Sequence, residues 1–136
     1  MVCGSELRRD VAAALGLPAI PAATATWSDH LYTCTYRLPA GPLVLAVKEL
    51  NGVPAARVYF DWLRQRVAPT RPIRGLANLG LPGYQATSGT VIFLKDDKTL
   101  EVDPRGLPSG LGPNRLSRGD FAYQLATDVL GCWTGK

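Results

Sequence analysis

Three successive residues, Ser28, Asp29 and His30, supply a hydroxyl, a carboxylate and the chain's single imidazole. Those are the parts of a nucleophile, an orienting acid and a general base. Such groups converge from separate segments, because neighbours in sequence cannot face one another as a relay. His30 therefore reads as a loop histidine, notable only as the one side chain whose ordinary pKa lies near neutrality. Arg118-Gly119-Asp120 spells a tripeptide read by adhesion receptors. The same Asp120 stands three residues after Ser117, just ahead of an apolar run, and [ST]-x-x-[DE] at that place is a helix capping box. The cap is favoured over binding to receptors of that class. Loss of Asp120 as a cap should cost about 1 kcal/mol.

The remaining chemistry-bearing residues are sparse. Cys3, Cys34 and Cys132 lie far apart, with no C-x-x-C and no paired histidines, which does not match the clustered spacing of a zinc site. Asp96-Asp97 suits a turn, and Glu101 and Asp103 share one strand face directed to solvent. The stretch Gly75-Leu-Ala-Asn-Leu-Gly80 precedes Leu81-Pro82 rather than a helix carrying Lys-Ser or Lys-Thr, so it is not a phosphate cradle. Neither a metal nor a cofactor is expected, and no catalytic set is visible.

The elements that must carry these residues follow from periodicity. Residues 5–16 form a short helix, with Leu7, Val11, Ala14 and Leu15 at helical spacing, Ser5 as a cap and Gly16 as its end. Residues 17–30 hold two prolines and no period and read as a connector. Alternation over 31–38 places Tyr32, Cys34, Tyr36 and Leu38 on one face of a strand. A more buried strand follows over 43–50. Residues 53–67 form a helix with Pro54 in its first turn and Ala56, Tyr59, Phe60, Leu63 and Val67 on its apolar stripe. Residues 68–82 are a second connector. Strands over 83–87, 90–95 and 98–103 are joined by Ser88-Gly89 and Asp96-Asp97. Residues 104–116 form a third connector, and a helix carries Phe121, Ala122, Leu125, Ala126, Val129 and Leu130 on one face. The expected fold is α+β, in the order α-β-β-α-β-β-β-α. It has an antiparallel sheet of about five strands and helices on one face.

A chain of 136 residues with 46% hydrophobic and 19% charged residues fits one globular domain over 1–136, with frayed ends at 1–4 and 134–136. Its net charge is +4, carried by eleven arginines and four lysines. The arginines are scattered among acids; only Arg64, Arg66, Arg71 and Arg74 crowd together. That pattern lacks the continuous basic stripe of a nucleic-acid binder. No apolar run reaches the roughly 18–20 residues of a membrane span. Met1-Val2-Cys3 lacks the basic start and apolar stretch of a signal peptide. The chain is then either cytoplasmic or an exported part whose leader has been removed.

Taken in order, VCGSELRRDVAAALGLP, CTYRL, YFDWLR, PIRGLANLGLPGYQ, VIFLKDDKTLEV and FAYQLATDVLGCW resemble a family of small exported actinobacterial lipoprotein domains. These are distantly similar to extracellular sensor domains of bacterial receptor kinases. The resemblance implies an extracytoplasmic place, membrane association only through an anchor upstream of this chain, and a disulfide. It favours Cys3–Cys34, with Cys34–Cys132 as the alternative. A Cys3–Cys34 bridge would contribute roughly 3–4 kcal/mol by loop-entropy arithmetic.

The expected function is non-catalytic: binding of an envelope protein or small ligand through connectors 17–30, 68–82 and 104–116. Trp27, His30, Arg71, Arg74 and Trp133 are the candidate contacts. The alternative is a carrier of an apolar small molecule or lipid, with a pocket between the sheet and helix 53–67. An enzyme using an acid and the arginines of 64–74 is a third reading.

Overall fold

A computed structural model describes residues 4–73 and 81–134. The chain is α+β. Among the described residues it has three helices and one antiparallel sheet of seven strands: α1 (Ser5–Leu15), β1 (Ala22–Ser28), β2 (Leu31–Leu38), β3 (Gly41–Glu49), α2 (Val53–Arg66), β4 (Thr70–Pro72), β5 (Gly83–Ala86), β6 (Val91–Lys95), β7 (Lys98–Asp103) and α3 (Arg118–Thr134). The strand order is β1-β2-β3-β7-β6-β5-β4. Two meanders therefore meet at the β3–β7 pair, where Leu45 lies opposite Val102 and Val47 opposite Leu100. The segment containing α2 carries the chain from the centre of the sheet to its far edge.

Two strands beyond the expected five sit inside segments read as connectors. β1 lies within 17–30 and β4 within 68–82. Both are edge strands, and β1 is exposed over most of its length. With no face buried, nothing in the sequence need alternate. Asp29 and His30 form the turn between β1 and β2, both with positive φ (53° and 61°), as a two-residue type I′ hairpin requires. The β5–β6 turn also differs from the expected two-residue form. Ala86 N–H donates to Thr90 O, and Gly89 N–H donates to Ala86 O. This makes a three-residue loop with Gly89 at φ 101°.

The helices cover both faces of the sheet, not one. Alternation along β6 shows why: Val91 and Phe93 point into one cluster, Ile92 and Leu94 into another. The larger cluster joins Leu7 and Val11 of α1 and Phe121, Leu125 and Val129 of α3 to Tyr36, Leu43, Leu45, Leu100 and Val102. The smaller sets Ala56, Phe60 and Leu63 of α2 against Ile92 and Leu94. A single apolar period per helix does not say which face of the sheet it meets, so the layering was not readable from the helix patterns.

Helix ends agree in part with the sequence. Gly16 ends α1 in the left-handed conformation, but its N-cap is Gly4, and Ser5 is the first helical residue without a side-chain cap. Ser117 caps α3: Asp120 N–H donates to Ser117 Oγ at 3.0 Å. Connector 104–116 is pinned rather than loose. Leu107 and Leu111 are buried in the larger cluster, and Leu111 and Leu116 exchange both backbone hydrogen bonds.

Candidate ligand-binding cleft

The start of α3 lies against the β5–β6 turn. Gly89 and Gly119 make that approach possible. A side-chain carbon on Gly89 would stand 3.1 Å from Gly119 N, and one on Gly119 would stand 2.8 Å from Gln85 Nε2. Gln85 ties the two elements by donating to Gly119 O at 2.8 Å. Beside this junction opens a cleft of about 440 Å³, bounded by β4, the β5–β6 turn, Ser109 and the first turn of α3.

Polar and apolar surface share the cleft wall about equally. Thr70, Thr87, Ser88, Ser109 and Ser117 supply hydroxyls, Arg71 and Arg118 two guanidinium groups, and Asp120 one carboxylate. Arg118 is held in place: Nη1 donates to Leu107 O at 3.2 Å, which also anchors connector 104–116. Arg71 is exposed on β4, and among the described residues it has no acid partner. The two cations are thus unlike, one spent on scaffold and one available. Thr87 N–H donates to Pro69 O at 3.2 Å, closing the rim between β4 and the turn. A groove of about 560 Å³, lined by Arg57, Asp61, Arg64, Gln65, Ala68 and Thr70, lies on the outer side of α2 and shares Thr70 with the cleft.

The residues singled out in the sequence do not gather at one place. Arg71 stands on the β4 edge, and Trp27 and His30 belong to the β1 edge, roughly 29 Å away at the usual strand spacing. Trp27 is 61% exposed, with its ring edge-on to His30 at 6.2 Å. Trp133 instead packs on Phe93 at 5.7 Å and belongs to the larger core cluster, so the two tryptophans form no common patch. Arg74 lies outside the described residues. Sequence reasoning missed the polar lining: five separate hydroxyls carry no spacing signal until the fold brings them together.

Elsewhere the ionisable groups are mostly structural. Lys95 and Lys98 pair with Asp96 and Asp97, each at 3.1 Å. Glu101 and Asp103 are half-buried rather than facing solvent. Burial, with Asp103 adding to it, pushes the Glu101 carboxyl up. Burial also pushes Asp103 upward, but Arg105 outweighs it and holds the carboxyl below its ordinary value, through a bidentate pair at 2.9 Å. Cys34 is fully buried on β2 and is disulfide-bonded; Cys3 and the side chain of Cys132 lie outside the described residues.

Comparison with protein-family models, with curated proteins and with solved structures returned no match to this chain. Among the described residues no helix is long and apolar enough to cross a membrane.

Proposed function

We propose that the chain is a non-catalytic extracytoplasmic binding domain whose hydroxyl- and arginine-bearing cleft takes a small ligand, or a segment of an envelope partner, bearing an anionic group. One observation carries the reading: two of the three connectors expected to bind converge there, 68–82 through Pro69, Thr70 and Arg71, and 104–116 through Ser109. Arg71 supplies an available guanidinium suited to a carboxylate or phosphate, and the hydroxyls suit the polar body behind it. The interface between α2 and the sheet is filled by Phe60, Leu63 and Ile92, which favours this outer cleft over an apolar carrier pocket. The extracytoplasmic place is supported by the likeness to exported lipoprotein domains and by the half-cystine at Cys34, with Cys3 as the proposed partner.

Arg71→Ala is the clean variant, because among the described residues the Arg71 side chain has no ion-pair or hydrogen-bond partner, and its backbone pairing with Gln85 is kept. Inorganic phosphate, citrate and an acidic peptide serve as probes in calorimetric titration. The expected result is binding of at least one probe by the wild type and a tenfold or greater loss in Arg71→Ala at unchanged melting temperature. Equal binding by both proteins, or none of the three bound, would contradict the reading.

A further inference from the structure

The two edges of the sheet are built differently. β4 is three residues long and carries Arg71 and Pro72 within the strand. Shortness, charge and proline are the devices that keep an edge from pairing with another strand. Within its own span β1 has none of them, although Pro21 precedes it. It runs seven residues, Ala-Ala-Thr-Ala-Thr-Trp-Ser, without charge or proline, and it pairs with β2 without a bulge from Ala22↔Arg37 to Ser28↔Leu31.

The turn geometry fixes which backbone groups β1 presents. In a two-residue hairpin the flanking pair, Ser28 and Leu31, bonds across the hairpin, and the pattern alternates from there. Thr26, Thr24 and Ala22 then turn their N–H and C=O toward β2. Ala23, Ala25 and Trp27 turn theirs outward. An antiparallel copy centred on Ala25 would meet them in register: Ala25 opposite Ala25, and Ala23 opposite Trp27 of the second copy. Each side chain keeps to its own face. The large Trp27 would sit over the small Ala23, and Thr24 would face Thr26, with no like charges opposed.

We infer that β1 is the interface of a symmetric dimer, in which two copies of this chain join their sheets edge to edge about Ala25. Size and charge choose a second copy over the other exposed apolar surface. Of the five large hydrophobic residues that stand exposed among the described residues, Ile20 precedes β1 and Trp27 lies in it, while Val53, Val58 and Trp62 lie on α2. α2 carries Arg57, Arg64 and Arg66 against one acid, Asp61, so two copies of that face would repel. β1 carries no charge to oppose itself.

The test is the mass of the full chain by sedimentation equilibrium from micromolar to millimolar concentration, with folding followed by circular dichroism. Wild type is expected to reach twice the chain mass. Ala25→Lys and Ala25→Glu, each placing like charges at the twofold axis, should stay single, and an equimolar mixture of the two should regain the doubled mass. Trp27→Glu is the second variant should a change at Ala25 disturb folding, and it too should lose the dimer. Wild type remaining at the single-chain mass throughout would overturn the inference. So would a doubled mass that persists in folded Ala25→Lys, which would move the contact to α2.

Discussion

The Asp10–Asp128 pair shows how single side chains set the response of this protein to pH. Burial raises the Asp128 carboxyl to about 6, helped by the charge of Asp10 and a hydrogen bond to it. A folded-state pKa above the unfolded one means that the native state holds the proton more tightly. The contribution is full below the ordinary carboxylate range and is lost as pH rises through about 6. Melting temperature should therefore fall between pH 5 and 7.5 by more in wild type than in Asp128→Asn, which is expected to be the more stable protein at pH 7.5; parallel profiles would contradict the pairing. Thr99 gives a second residue-scale prediction. It is 2% exposed, and among the described residues its buried Oγ1 has no hydrogen-bond partner. Thr99→Val removes that unpaired oxygen at nearly constant volume and should raise stability by about 1 kcal/mol in urea unfolding. Conversely, Ser117→Ala removes the bond to Asp120 N–H and should lower it by about 1 kcal/mol. That cap was legible in the sequence because its signal is local, four residues long and next to an apolar period. The cleft hydroxyls were not, because each is ordinary in its own segment.

At the scale of elements, helices were legible and edges were not. α2 reads from its stripe, and the buried members are Ala56, Phe60 and Leu63. Phe60 is fully buried between the sheet and the helix, with Tyr84 beside it at 6.0 Å. Phe60→Ala should cost about 3–5 kcal/mol, measured by denaturant unfolding; a cost under 1 kcal/mol would mean that α2 is not clamped to the sheet. Tyr84 also takes the Arg64 guanidinium on its ring at 3.9 Å, a contact with no trace in local spacing. β1 and β4 escaped detection for a physical reason. A strand announces itself by burying one face, and these two bury little. The turn at Thr87–Gly89 has three residues where two are expected, because a glycine after serine suits both hairpin forms and only the Ala86–Thr90 pairing distinguishes them.

At the scale of the whole molecule, α+β and antiparallel were both legible, since short strands joined by tight turns leave little else. The count of strands and the two-sided layering were not, because they depend on contacts between distant segments: β3 with β7, and α2 across β6 rather than beside α3. That layering leaves α1 and α3 on one side, α2 on the other, and the cleft at the end of the sheet where β4, the β5–β6 turn and the first turn of α3 meet. Under the proposed function, this cleft is where the protein binds its ligand. The most direct measurement is a backbone amide chemical-shift map of the full chain titrated with inorganic phosphate, citrate and an acidic peptide. Saturable shifts should concentrate at Thr70, Arg71, Thr87 to Gly89, and Ser117 to Asp120. Shifts that saturate elsewhere, or no saturable shift with any of the three, would contradict it.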